Sequence, residues 1–490
     1  MSTARLSWSG SYPHGAPEGL PPAPDGRPLE LADLGKLARR GVRIVTKAAR
    51  ADDQAGLGAL LADHVGPAAA GADVVEETWP AYEHVNVQAA LDAWLAVAGR
   101  SAEVVGIVNF RHHQFGLAEL VASVRQPFGP EPGNAATVNL PIGPDGETRA
   151  CLRCALLLVI EPDGARTALF VRGPEPDSGI ESVTVQALGT DAAAAARAVL
   201  EIREGAVREN VFRGQVLSFG ADVFGHRGGA LLQFHRRARL DAAQLVLDPE
   251  VREAIDRQVV DVARHKQRLL AAGQHLKRGL LLYGPPGVGK THTVRYLMGQ
   301  LEGTTVVQLT GSAMHLVAQA CSVARTLQPA MIVVEDVDLI AEDRGMHPGQ
   351  HPLLFQLLNE MDGLAEDADV VFLLTTNRAD LLEPALAARP GRVDQAVELA
   401  LPDAGARRAL FELYQGSLSV DTSGLDDVLA RTEGVTASFL KELIRRAALF
   451  AADRTAGGEL AVSAADLTAA LDELLATRNA MTRTLLGAGS

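Results

Sequence analysis

Few folds accommodate the stretch Gly284-Pro285-Pro286-Gly287-Val288-Gly289-Lys290-Thr291. It follows an apolar run, Gly279-Leu280-Leu281-Leu282-Tyr283, and precedes Thr293-Val294-Arg295-Tyr296-Leu297-Met298, which reads as a helix. Strand, glycine-rich loop and helix is the context in which the pattern GxxxxGK[ST] cradles a polyphosphate. Glycines let the backbone wrap an anion closely, with loop N–H groups turned inward. The following helix adds its positive N-terminal end. Lys290 is placed to reach the β and γ phosphates, Thr291 supplies a hydroxyl to Mg²⁺, and His292 follows in the same turn. The alternative is a Gly/Pro turn that matches by chance, and the correct flanks on both sides argue against it.

At 490 residues the chain has room for about two to four domains, each with its own core. The formal net charge of −14 argues against a general binder of nucleic acid or of anionic membranes, although a local basic patch stays compatible with it. No run approaches the ~18 apolar residues of a membrane span. Met1-Ser2-Thr3-Ala4-Arg5 leads into no apolar segment of the kind that marks a secretory signal. Three cysteines, Cys151, Cys154 and Cys321, make no disulfide framework. Cys151-Leu152-Arg153-Cys154 is a lone CxxC at the start of an expected strand. Its odd offset sends the thiols to opposite faces, and no second pair completes a zinc site. These are read as structural cysteines in a soluble, cytoplasmic protein.

Residues 1–29, rich in Pro, Gly and Ser from residue 9, are expected to form a flexible tail, as are residues 481–490. Val87, Ala90, Leu91, Trp94 and Leu95 recur with helical spacing, and Trp94 reads as core packing rather than a binding platform. Expected strands are Glu103–Phe110, Cys151–Ile160, Thr167–Arg172 and Ser182–Leu188, with Pro162-Asp163-Gly164 supplying hairpin turn chemistry. An Ala-rich helix runs from a cap at Asp191 to about Arg208, and further strands are expected over Val211–Leu217 and Ala230–His235. Residues 30–235 therefore read as an α+β N-terminal domain with a candidate split near residue 100. Arg111-His112-His113-Gln114 invites a catalytic or metal reading. Adjacent histidines on a strand face opposite ways, however, and no ligand-spaced partner is evident, so a surface turn is preferred. The domain shows no chemistry of its own, and its expected role is to recruit a protein client or adaptor.

Downstream, Met331-Ile332-Val333-Val334-Glu335-Asp336 is an apolar run ending in two carboxylates, about forty residues after the loop. A buried strand ending in acids beside a phosphate loop is the Walker B arrangement, in which one acid serves the Mg²⁺ shell and the other activates the attacking water. A third apolar run, Val370–Thr376, ends at Asn377, whose amide can hold that water. Arg389-Pro390-Gly391-Arg392 then places two arginines on a rigid turn. A guanidinium acting on a transferring phosphoryl group contributes about 10³ to 10⁵ in rate. Taken singly, these are a buried strand with a polar end, a turn asparagine and a solvated arginine pair. Their order behind the loop favours the catalytic reading.

The succession Gly284–Thr291, Glu335-Asp336, Thr375-Thr376-Asn377-Arg378 and Arg389-Pro390-Gly391-Arg392-Val393-Asp394 resembles the AAA ATPase family. Leu357-Leu358-Asn359-Glu360-Met361-Asp362-Gly363-Leu364 resembles that family's helix before the strand that ends at Asn377. The likeness covers about residues 240–480, roughly half the chain. It implies an α/β P-loop NTPase core over 236–402, with a parallel sheet and helices on both faces, and a C-terminal helical lid over 403–480. It also implies a homo-hexameric ring with ATP and Mg²⁺ bound between subunits. By resemblance, Gly284, Pro285, Pro286, Gly287, Val288, Gly289, Lys290, Thr291 and His292 hold the nucleotide. Thr291 and Glu335 serve the metal, Asp336 and Asn377 serve the water, and Arg389 and Arg392 reach into the neighbouring subunit's site. Thr432–Leu440 resembles the turn into the lid helix near the adenine, where Gly434 and Ala437 let backbone approach the nucleotide.

Two departures stand out. Most family members carry Asp-Glu where this chain has Glu335-Asp336, and the shorter Asp336 is expected to slow hydrolysis. This order, with Arg-Pro-Gly-Arg-Val-Asp, resembles the mitochondrial Rieske-protein translocase branch, which is membrane-anchored. The second departure is that no Phe, Tyr or Trp occurs between Tyr296 and Phe355, where threading relatives carry an aromatic paddle. Met314 and His315 either face a pore or pack on the core. Two readings follow: a ring ATPase that remodels a protein client, or an ATP-gated assembly scaffold with slow hydrolysis. Nucleic-acid remodelling is disfavoured by the acidic balance, and a linked protease by the absence of an HExxH motif.

Overall fold

The computed structural model describes residues 56–66, 73–108, 115–122, 131–175, 179–190, 192–220, 231–338, 352–380, 392–454 and 459–476. Both expected tails, Arg111–Gln114, Asp191 and Arg389 lie outside the described residues.

The first sheet contains β1 (Val75–Pro80), β2 (Ser101–Val108), β3 (Glu131–Gly133), β4 (Ala136–Pro141), β5 (Thr148–Ile160), β6 (Arg166–Arg172) and β7 (Ser182–Gly189). Its order is β1-β7-β6-β5-β2-β3, with β4 also pairing with β5. Alternation along β5 feeds two cores. Ala155, Leu157 and Val159 pack with the helices His84–Leu95 and Ala192–Arg208. Cys154, Leu156 and Leu158 pack with Leu57–Val65 and Leu117–Ala122 on the other face. Trp94 lies in the first of these cores, 5 % exposed, as its helical spacing requires. The candidate split near residue 100 is corrected, because β1 pairs along its whole length with β7 and both sides of that point share one sheet. Cys151 and Cys154 lie in different cores, and burial pushes each thiol up to about 12.

The second sheet contains β8 (Val216–Gly220), β9 (Leu231–His235), β10 (Arg278–Tyr283), β11 (Thr305–Leu309), β12 (Ala330–Val334), β13 (Val370–Thr376) and β14 (Gln395–Glu398), in the order β14-β10-β13-β12-β11-β8-β9. All neighbours are parallel except β8 and β9. Every residue of β12 and β13 is buried, as their continuous apolar runs require of strands covered on both faces. Val294 and Leu297 of the helix Lys290–Gln300 cover one face with Leu280, Met331 and Leu373. Ala320, Cys321, Leu357 and Met361 cover the other with Ile332, Phe372 and Leu374.

The domain limit expected at residue 235 is also corrected. β8 and β9, assigned from sequence to the N-terminal domain, extend the second sheet through Val306↔Val216 and Val307↔Leu217. The physical reason is the edge of β11, whose unpaired backbone groups β8 satisfies. Alternation in a sequence reports a strand but not its partner. Arg237 fastens this ribbon, donating to the carbonyls of Met298 (2.6 Å), Thr304 (2.6 Å), Gly214 (3.1 Å) and Leu301 (3.2 Å). Tyr82 meets Phe219 edge-on at 5.9 Å, and Val211 N–H donates to Asn86 Oδ1 at 2.8 Å, so the ribbon also contacts the first sheet's helical layer.

The C-terminal unit is built from the helices Ala404–Gln415, Leu425–Ala430, Ala437–Arg454 and Ala464–Leu475, with the short pair β15 (Ser419–Val420) and β16 (Ala461–Val462). Phe411, Phe439, Leu443 and Leu471 are fully buried within it. Ser463 caps the last helix in a capping box with Asp466. Among the described residues no helix is long and apolar enough to cross a membrane.

Candidate active site

β10 delivers the chain to the glycine-rich loop. Gly284 has φ +144°, and a Cβ there would lie 2.3 Å from the Leu399 carbonyl oxygen. Gly287 has φ +84°, and its Cβ position lies 3.0 Å from the hydroxyls of Thr436 and Ser438. Side chains are excluded at both positions, which leaves backbone to line the loop. Pro285 and Pro286 lie between them, and Val288 is buried in the core beneath the sheet's first face. Gly289 precedes the helix Lys290–Gln300. Lys290 Nζ donates to the carbonyls of Gly284 (2.7 Å) and Pro285 (2.9 Å). Burial lowers its pKa, while the nearby Asp336 and Asp338 carboxylates act in the opposite direction. His292 Nε2–H donates to Gln244 O at 2.9 Å, which ties the loop's helix to the segment that leads into this half of the chain.

The acids sit at the end of β12. Thr291 Oγ1 donates to Glu335 Oε2 at 2.7 Å, so the two expected metal-serving groups meet. Asp336 has φ +52°, and among the described residues it alone has positive φ without being glycine. Asn377 Nδ2 donates to Asp336 Oδ1 at 3.2 Å, which joins the two residues expected to handle water. Three residues given no role from the sequence alone complete the arrangement. Thr375 Oγ1 accepts Asp336 N–H at 3.0 Å. Thr376 Oγ1 donates to Asp338 Oδ1 at 2.9 Å, and Asn377 N–H donates to the same oxygen at 3.3 Å. Asp338 was visible as the next acid after Glu335-Asp336, but its partners lie across the sheet, at the end of β13 and just beyond it.

Gly434, with φ +76°, turns the chain towards the helix Ala437–Arg454. Ala437 is buried, and the N–H and hydroxyl of Ser438 both donate to Gly287 O, at 3.1 and 3.3 Å. The helix N-terminus therefore abuts the phosphate loop. Arg392 differs from its expected outward-reaching position. It is 8 % exposed and ion-paired with Asp362 of its own chain, and its Nη1 has no hydrogen-bond partner among the described residues. Met314 resolves to the core, 5 % exposed, whereas His315 is exposed.

The oxygen donors of Thr291 and Glu335 suit a hard divalent cation that completes its shell with phosphate and water, and the Cβ-free loop suits a polyphosphate. Comparison with known proteins agrees with this chemistry. The model of the family described as "ATPase family associated with various cellular activities (AAA)" matches residues 280–401. The chain is 38 % identical over 246 residues to the ATP-dependent zinc metalloprotease FtsH 2 of Sphaerobacter thermophilus, covering 47 % of this chain and 37 % of that protein. It is 32 % identical over 272 residues to FtsH 3 of Symbiobacterium thermophilum (51 % and 43 %). It is 34 % identical over 218 residues to FtsH of Mycobacterium tuberculosis (41 % and 29 %). The chain thus spans less than half the length of each of these relatives. Residues 280–401 thus match the AAA family of ATPases, and the segment shared with these ATP-dependent relatives supports an ATPase.

Proposed function

We propose that the chain is the subunit of a homo-hexameric ring that hydrolyses ATP between subunits, with Mg²⁺, to remodel or move a protein client recruited through the first sheet and its helices. The observation that carries this reading is the convergence of Lys290, the Thr291–Glu335 pair and the Asp336–Asn377 pair at one end of the second sheet. Thr291 and Glu335 would hold Mg²⁺, whose charge offsets that on the phosphate oxygens. Lys290 exchanges its loop carbonyls for phosphate oxygens. Asp336 takes the proton of the attacking water, and Asn377 holds the carboxylate and the water in register. Arg389 and Arg392 act on the neighbour's phosphate, and for Arg392 this requires leaving Asp362.

The relatives are named for ATP-dependent zinc proteolysis. The segment shared with them supports ATP-driven work on proteins, whereas the Glu335-Asp336 order and Arg389–Asp394 resemble the Rieske-translocase branch, from which we carry over the ATPase engine and not the client. Support for transmission to the client domain comes from the ribbon β8–β9, which is paired into the second sheet and packed against the first sheet's helices. Lys290→Ala is expected to abolish nucleotide binding and turnover, and parent-like turnover would remove the assignment. Electron microscopy with ADP, with a non-hydrolysable analogue and without nucleotide is expected to show six-membered rings; monomers in all three would remove the ring.

A second reading, an ATP-gated scaffold without threading, is favoured by the burial of Met314. Client-independent assembly on ATP with turnover below about 1 per minute would select it.

A further inference from the structure

The tips of β12 and β13 are joined by more than their strand pairing. The ladder ends at Val334↔Leu374. Beyond it Asp336 turns the chain at φ +52°, a conformation that L side chains rarely adopt and that persists only where the surroundings hold it. Thr375 holds it from both sides, accepting Asp336 N–H on Oγ1 and Val337 N–H on its carbonyl oxygen (2.8 Å). The next contact is carried by Asp338, a carboxylate only 7 % exposed. One of its oxygens accepts both the Thr376 hydroxyl and the Asn377 N–H. A carboxylate buried this deeply is retained only where donors satisfy it, and these donors are the last residue of β13 and the residue that follows it. From there the Asn377 amide reaches back to Asp336 Oδ1, closing a loop from Asp338 through Asn377 to Asp336.

We propose that Asp338 is a positioning residue for ATP hydrolysis: by fixing the backbone at Asn377 it sets where the Asn377 amide holds the Asp336 carboxylate. The proposal rests on the reading of Asp336 as the group that activates water. It assigns Asp338 to the alignment of the reacting groups and not to nucleotide binding. A small misplacement of such groups costs rate far more than affinity.

The test uses the full chain, with ATP turnover at saturating ATP and equilibrium binding of a fluorescent ADP analogue. Asp338→Ala is expected to lower kcat about 10- to 100-fold, with ADP affinity within about threefold of the parent. Asp338→Asn keeps an acceptor oxygen and removes the charge, and is expected to keep kcat within about threefold. Parent-like kcat in Asp338→Ala would overturn the proposal. Equal losses in both variants would also overturn it, because they would assign the effect to charge near Lys290. A matching loss of ADP binding would overturn it as well, leaving only support of the fold. Should Asp338→Ala not fold, Thr376→Val removes the donating hydroxyl and is expected to lower kcat, with Thr376→Ser restoring it; parent-like turnover in Thr376→Val overturns the proposal. Failure of the underlying reading of Asp336 is separately visible as retained turnover in Asp336→Asn.

Discussion

Thr291 Oγ1 donates to Glu335 Oε2 across 2.7 Å, joining the first turn of the phosphate-loop helix to the end of β12. The hydroxyl orients the carboxylate that we propose serves Mg²⁺. Thr291→Val is therefore expected to raise the Mg²⁺ concentration needed for half-maximal turnover about 10- to 100-fold. Thr291→Ser should stay near the parent. A magnesium titration of ATP turnover checks both, and an unchanged midpoint in Thr291→Val would refute the orienting role.

Asp336 is one methylene shorter than glutamate, and its left-handed backbone sets the direction in which it projects. Asp336→Asn should bind ATP and lose turnover about 10²- to 10⁴-fold, because the amide cannot take a proton. Asp336→Glu tests the length directly: if reach limits the parent, turnover rises. Single-turnover hydrolysis alongside nucleotide binding separates the two effects, and retained hydrolysis in Asp336→Asn would reassign the base.

Arg237 satisfies four carbonyl oxygens with one planar group. Arg237→Ala leaves these acceptors without it and should cost on the order of 2–4 kcal/mol in urea unfolding. Arg237→Lys should recover little, since a single ammonium cannot span the same positions. Protease nicking near Gly214 should appear in both variants. A parent-like unfolding midpoint in Arg237→Ala would show that the ribbon is held without it.

Two carboxyls of the C-terminal helices lie below the usual carboxylate range. Hydrogen bonding from Arg445, joined by Arg446, brings Glu442 to about 2, and Arg454 brings Asp466 to about 2. A folded-state value below the unfolded one stabilises the fold above pH ~4, and that stability is lost as pH falls through about 2. Thermal melting of the full chain should therefore drop between pH 5 and pH 3, and Glu442→Gln with Asp466→Asn should narrow that drop. An equal drop in the double variant would locate the acid sensitivity elsewhere.

Local signals in the sequence were enough to place much of this protein. The loop Gly284–Thr291 and the apolar runs ending at Glu335 and Asn377 identify their elements because strand, turn and helix preferences act over a few residues. Ser463 and the stripe at Leu440, Leu443, Ile444 and Ala447 did the same for the C-terminal helices. Tertiary structure alone decided which elements meet. β8 joined β11 rather than the sheet that precedes it, because an unpaired edge is satisfied by any strand the chain can bring to it. Arg392 turned to Asp362, which lies thirty residues earlier in the chain. Asp338 and Thr375 acquired their roles only when β12 and β13 lay side by side, since hydrogen bonds between strand tips depend on register and backbone direction, which no local pattern encodes.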